Sequence, residues 1–273
     1  MRIDLHFTPH QTDELALRDR TVIVIDVLRA SSSIVTALAN GAREVIPVAT
    51  VESAVKISGS LFGDVILLGG ERHGKMIEGF NLGNSPSDYT EERVKGKTII
   101  FSTTNGSQAM VKARYARELY VCAFLNISRV AEVLRAEPRD FTIVCAGNNG
   151  LLSMEDTVCG GMLVAKVMDD AQFDTALSDG AQAARALFKA FGKSILKMLR
   201  SADHGKYLQE IGFGEDLKTC AAVDALPVLP QLEGSVLKLK RDPEPRPRTE
   251  GEPGNAPQPE PERKEVPNQP LAT

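Results

Sequence analysis

No run of apolar residues in this chain is long enough to span a bilayer. Its first residues, Met1-Arg2-Ile3-Asp4-Leu5-His6, lack the apolar core of a signal peptide. Cytoplasm is therefore the expected compartment, and no membrane partner is expected. Cysteine is scarce and scattered. Cys122, Cys145, Cys159 and Cys220 form no CxxC pair, so neither a zinc site nor a redox pair is indicated. Reduced, mostly buried thiols are the simplest reading. Positive charge is not in excess either. A net charge of -4 over 273 residues argues against a generic nucleic-acid surface, so any anionic ligand must be attracted locally.

Several common signatures are also missing. There is no GxGxxG and no nucleophile elbow, which weakens dinucleotide and serine-hydrolase readings. A P-loop is excluded, because the spacing from Gly70 to Gly74-Lys75 is too short and Met76 replaces the Mg²⁺-binding hydroxyl. A phosphocysteine loop after Cys145 would need an arginine where Leu151 stands, so Cys145 reads as a buried, inert thiol. His204, His6 and His10 are isolated in the sequence, and none is assigned as a catalytic base.

What is present is a regular alternation. Buried strands are expected at Val22–Val27, Val45–Val48, Val65–Leu68, Thr98–Ser102, Leu119–Cys122 and Phe141–Ala146, with helical patterns at Ser32–Ala39, Val51–Ser58, Gly106–Ala113 and Ser128–Ala136. The pattern turns helical from about Glu155 to Asp216, and short extended pieces follow around Val228 and Val236. Alternation of this kind predicts an α/β fold: a largely parallel sheet flanked by helices in three layers. Residues 1–240 are expected to form this domain. Residues 241–273 hold nine of the fifteen prolines and few aliphatics. Such a segment cannot bury enough apolar surface to offset its ordering entropy, so a disordered tail is expected.

An internal echo runs through the first half. Val22 to Ser53 reads strand, hydroxyl-rich turn, helix, Ala42-Arg43-Glu44, strand; Thr98 to Ser128 repeats that order with Ala116-Arg117-Glu118. A duplicated βαβ unit and chance are both open on the sequence.

Five loops carry candidate chemistry. After the first strand comes Asp26-Val27-Leu28-Arg29-Ala30-Ser31-Ser32-Ser33, with a carboxylate for a divalent cation or a nucleophile, a guanidinium for an oxyanion, and Ser31 and Ser32 facing an anion at a helix start. A capped helix with a surface ion pair would produce the same string. Gly69-Gly70-Glu71-Arg72-His73-Gly74-Lys75 puts an acid among cations. Glu78 to Ser87 is a long loop in which Ser85 can cap and Pro86 suits a first turn. Ser102-Thr103-Thr104-Asn105-Gly106-Ser107 offers hydroxyls and backbone donors. Cys145-Ala146-Gly147-Asn148-Asn149-Gly150 leads to Glu155-Asp156, which could join a hard-oxygen metal site or merely complement a helix N-terminus.

Taken in series, these stretches resemble the 2-phosphosulfolactate phosphatase family, the phosphatases associated with coenzyme M biosynthesis. The resemblance runs from about Ile3 to Pro227. It implies an α/β fold, Mg²⁺ dependence and hydrolysis of the phosphate ester of a small sulfonated acid. It also implies that Asp26, Arg29, Glu71, Arg72, Asn84, Thr104, Asn105 and Glu155 share one cleft.

Chemistry then suggests roles. Mg²⁺ is expected among Asp26, Glu71, Glu155 and Asp156, with Arg29 and Arg72 on substrate oxygens. Ser31, Ser32, Asn84, Thr103 to Gly106 and Gly147 would bind substrate. The nucleophile is open between Asp26 and water; Leu28, where a DxD phosphatase has its second acid, favours water. A non-catalytic small-anion binding or regulatory protein is the alternative, as is an assembly protein that uses its tail. Self-association is left open.

Overall fold

The computed structural model describes residues 1–60, 65–169 and 174–240. The tail expected to be disordered, 241–273, lies outside the described residues. In chain order the elements begin with strand β1 (Arg2–His6), helix α1 (Glu14–Leu17), β2 (Thr21–Ile25), α2 (Ala30–Ala39), β3 (Glu44–Pro47) and α3 (Val51–Ser60). Next come β4 (Ile66–Arg72), β5 (Lys75–Met76), α4 (Glu91–Val94), β6 (Thr98–Ser102), α5 (Gly106–Lys112), β7 (Glu118–Cys122), α6 (Ile127–Ala136) and β8 (Phe141–Cys145). The remainder is α7 (Met154–Met168), β9 (Ala176–Leu177), α8 (Asp179–Phe191), α9 (Ile195–Ser201), α10 (Asp203–Glu210), α11 (Asp216–Cys220), β10 (Pro230–Glu233) and β11 (Val236–Leu239).

All strands join one sheet in the order β5-β4-β6-β3-β11-β10-β7-β2-β8-β1-β9. The α/β expectation is met. β2, β6 and β8 are buried along their whole length, which is why they read as continuous apolar or β-branched runs. β1 was not anticipated: only Ile3 and Leu5 face inward, and the remaining residues are polar or terminal. The sequence also extends the first central strand to Val27, but it stops at Ile25. Asp26 to Arg29 turn away to start α2.

β4, β6 and β3 are mutually parallel, as are β7, β2, β8, β1 and β9. Between the two sets lies the β10–β11 hairpin, antiparallel to both neighbours. Three antiparallel pairings separate β3 from β7, so the two parallel sets run in opposite senses. One large core packs β1, β2, β7 and β8 against α6, α7, α8 and α9. A second packs α2 and α5 against β2, β3, β6 and β7. Helices α7 and α8 approach so closely that a Cβ on Gly161 would lie 2.0 Å from the Ala184 carbonyl oxygen, a contact only glycine permits.

The internal echo has a structural counterpart. About the hairpin, β2 lies outside β7 just as β6 lies outside β3. The Arg43 N–H donates to Lys97 O at 2.8 Å, and the Arg117 N–H to Arg20 O at 3.1 Å. The Arg43 side chain donates to Thr98 Oγ1, which donates to Glu44; the Arg117 side chain donates to Thr21 Oγ1, which donates to Glu118. From the hairpin side, Lys238 approaches Glu44 and Lys240 approaches Glu118. Corresponding residues of the two segments thus make corresponding contacts, which favours a repeated βαβ unit over coincidence.

Candidate active site

The turns after β2 and β6 meet where α2 and α5 begin. A Cβ on Gly106 would fall 2.5 Å from both Asp26 Oδ2 and Ala30 Cβ, so glycine is what allows the junction. Each turn is held by its own hydroxyl. The Asp26 N–H donates to Ser31 Oγ at 2.9 Å, and the Thr103 N–H donates to Ser107 Oγ at 2.9 Å. Ser32 Oγ donates to Val27 O, and Ser33 Oγ to Asn84 O. All three serines of the first turn are fully buried. They brace the backbone instead of facing a ligand, which differs from the anion-cradle expectation for Ser31 and Ser32. Thr103 is likewise turned inward, its Oγ1 accepting from the Ser107 N–H.

Beside this junction opens a cavity of about 310 Å³. Of the expected residues, Asp26, Arg29, Glu71, Asn84, Thr104 and Asn105 line it. Asp26 Oδ1 accepts from the Ala30 N–H at 3.3 Å; among the described residues nothing donates to Oδ2. Burial pushes the Asp26 carboxyl up to about 7, pulled down by His204 and the Ala30 N–H and raised further by Glu71 and Glu155. Glu71 ties two loops to the cavity, one oxygen accepting from the Gly74 N–H and the other from the Thr104 N–H, both at 2.8 Å. Asn84 Oδ1 and Thr104 Oγ1 are buried without a hydrogen-bond partner among the described residues. Orphaned polar atoms in a cavity wall are costly unless something else satisfies them, which is what a ligand site requires.

The two arginines behave differently from the simple clamp reading. Arg29 is buried, donates to Asp216 Oδ2 at 2.6 Å and to Gly74 O at 2.6 Å, and stacks over Phe213 at 4.3 Å. Asp216 also accepts from Ser85 Oγ at 2.6 Å, so Ser85 serves this network and does not cap the turn at Pro86. Arg72 donates to Glu71 O, Ser102 O and Ser102 Oγ and does not line the cavity.

The acids after β8 divide as well. Asp156 Oδ1 accepts from the Val27 N–H at 2.8 Å and Oδ2 from the Gly147 N–H at 3.1 Å. It fastens the β2 turn to the β8 turn, and Gly147 acts there through its backbone. Burial, with Asp26 and Glu155 nearby, holds Asp156 well above the usual carboxylate range. Glu155 is buried and lies 3.5 Å from His204 Nδ1. His204 lines the cavity, as do Asn148, Asn149 and Tyr207. Asn148 and Asn149 belong to the candidate loop after β8, whereas Tyr207 carries no sequence signal and His204, an isolated histidine on a polar helix start, gives no local sign of a catalytic role. The four cysteines are buried and free, as expected, and burial raises the Cys145 thiol well above its ordinary range.

The sequence profile of the 2-phosphosulpholactate phosphatase family matches residues 6–235. Three relatives named "Probable 2-phosphosulfolactate phosphatase" are similar over nearly their whole length. That of Caldanaerobacter subterraneus subsp. tengcongensis is 38% identical over 89% of this chain and 100% of its own. That of Thermotoga maritima is 41% identical over 82% and 94%, and that of Clostridium acetobutylicum 39% over 85% and 97%. The chain belongs to the 2-phosphosulfolactate phosphatase family. It is accordingly an enzyme, a phosphoric monoester hydrolase.

For a phosphatase of this family the charge balance of the cavity is informative. Two carboxylates line it, and its arginine is already paired to Asp216. A doubly charged phosphate would meet repulsion there unless a cation came with it. Hard oxygen donors suit Mg²⁺, and a divalent cation would oppose the burial that raises Asp26. Among the described residues no three His, Cys, Asp or Glu side chains converge closely enough to hold a metal. The four acids are therefore not one ligand set. A cation in this cavity would have to be held by fewer protein side chains than that. Asp26 is the residue whose open oxygen would take it.

Proposed function

We propose that this chain is a Mg²⁺-dependent phosphatase of small phosphorylated acids, converting 2-phospho-3-sulfolactate to 3-sulfolactate and phosphate in the cytoplasm. The observation that carries the reading is Asp26, a buried carboxylate with an open oxygen in a small polar cavity of a phosphatase-family fold. Family membership supports the ester class. A cavity of about 310 Å³ suits a small acid over a polymer or a protein. The substrate's non-phosphate oxygens would meet the amide of Asn84 and the hydroxyl of Thr104, which lack partners without it.

Asp26 holds Mg²⁺ in this reading, and the ion supplies neutralisation of charge developing on the phosphoryl oxygens. The protein's own part is positioning. Gly106 lets the Thr104–Asn105 turn close against Asp26, and Glu71 fixes that turn through the Thr104 N–H. Leu28 fills the wall where a second acid would stand, so we assign the attack on phosphorus to water, with the Asp26 carboxylate beside it.

Phosphate release from 2-phospho-3-sulfolactate, measured in MgCl2 and in EDTA, tests the proposal. Release that depends on Mg²⁺ and returns on its re-addition is expected. Release indifferent to EDTA removes the ion from the reaction. Release from other phosphorylated hydroxy acids but not this one moves the substrate assignment. Acid-quenched protein carrying label from a ³²P-phosphorylated substrate would replace water by Asp26 as the nucleophile.

A further inference from the structure

A phosphate ester of a hydroxy acid has a poor leaving group, an alkoxide that needs a proton as the bond to phosphorus breaks. Several groups that line the cavity carry protons. The Tyr207 hydroxyl is engaged, donating to His73 O at 3.0 Å, and His73 itself is exposed at the tip of the β4–β5 turn. Arg29 is paired to Asp216. His204 differs from all of these. It stands in the first turn of α10 with its side chain 17% exposed, between the main cavity and a second one of about 270 Å³. Its Nδ1 is 3.5 Å from Glu155 Oε1, and that carboxylate is only 2% exposed.

Glu155 adds the second observation. A buried carboxylate is costly unless a cation or donors face it, and the basic side chain within ion-pair reach among the described residues is His204. With Nδ1 beside that carboxylate and the residue lining the cavity, Nε2 is the nitrogen free to meet a substrate. A carboxylate behind a histidine is a recurrent way to fix ring orientation and tautomer.

We propose that His204, positioned by Glu155, is the proton donor to the leaving oxygen. The role rests on the phosphatase reading. In the step, the attacking water oxygen forms a bond to phosphorus while the bridging P–O bond breaks. The electron pair of that bond stays on the bridging oxygen, which takes the Nε2 proton of the imidazolium and departs as the hydroxyl of the acid. One water proton leaves the attacking oxygen to restore the imidazolium, so water is divided as hydroxyl to phosphate and proton to the alcohol. His204 is then a catalytic residue and Glu155 a positioning residue.

The test compares two esters with the full-length protein in Mg²⁺: 2-phospho-3-sulfolactate, whose alkoxide needs a proton, and 4-nitrophenyl phosphate, whose phenolate does not. His204→Gln should lose about 10²–10⁴-fold in kcat on the alkyl ester and less than about tenfold on the aryl ester. Glu155→Gln should show the same selectivity with a smaller alkyl loss, about 10–100-fold. It also carries the test should His204→Gln fail to fold. Equal loss on both esters in either folded variant, or no loss on the alkyl ester, overturns the proton-donor role and leaves the phosphatase reading standing. Wild-type protein that releases phosphate from neither ester overturns the phosphatase reading, and this proposal with it.

Discussion

Removing the partner of Arg29 should cost stability far more than surface ion pairs do. The Arg29–Asp216 pair is 2.6 Å long, and the two side chains are 1% and 7% exposed. It ties the turn after β2 to α11, to Gly74 O in the β4–β5 turn and, through Ser85, to the loop before Pro86. Deleting one member of a buried pair leaves an uncompensated charge and costs about 3–5 kcal/mol. Asp216→Leu should reach that range. Asp216→Asn, which still accepts from Ser85 or Arg29, should fall toward its lower end. In a domain of this size each kcal/mol shifts Tm by roughly 2–4 °C, so Asp216→Leu should melt about 6–20 °C below wild type. The double variant Arg29→Met/Asp216→Leu should recover most of the loss, because no charge remains buried. Urea unfolding midpoints of wild type, Arg29→Met, Asp216→Leu and the double variant measure this cycle. A loss below about 1 kcal/mol for Asp216→Leu would refute the reasoning, since that is the worth of an exposed pair.

Three further outcomes follow from other parts of the site. Asp26→Asn should abolish phosphate release while the circular dichroism spectrum is unchanged. It should also flatten a pH dependence: the folded carboxyl, pushed up to about 7, binds protons that the unfolded one near 3.8 has lost, so metal-free wild type loses stability as pH rises from about 4 to 7. Melts in EDTA across that range check the sign, and a rise with pH would contradict it. Gly106→Ala should lower kcat and cost roughly 1–3 kcal/mol, because its Cβ overlaps Asp26 and Ala30; activity and melting like wild type would show that the junction yields freely. Truncation after Lys240 should leave turnover and Tm unchanged, since every strand among the described residues precedes it, and a loss of either would assign the tail a part in the domain.

Much of the architecture was legible because burial on both faces leaves a one-dimensional trace. Strands such as Val22-Ile23-Val24-Ile25 are apolar throughout, and the helices after β2 and β6 carry serines in their first turns. The β1 strand was hidden because only two of its residues face inward, and the hairpin's place was hidden because joining a late segment to the middle of a sheet is a long-range event. The same distinction separates the site residues. Asp26, Glu71, Asn84 and Thr104 could be picked out because they stand in polar, hydroxyl- or glycine-rich stretches beyond apolar runs, where a fold of this class gathers its ligands. Whether a polar side chain faces the cavity or braces a loop depends on which backbone groups arrive beside it. Ser31, Ser32, Arg72 and Asp156 therefore turned out to hold turns together, and Arg29 became half of a buried pair with a residue 187 positions away. His204 entered the site only because the fold sets the first turn of α10 near that of α7, bringing an imidazole to a buried carboxylate that nothing in its own neighbourhood of the chain announces. Periodicity and turn chemistry act within a few residues and survive in the sequence, whereas pairing of charges in a low-dielectric interior is settled by packing alone.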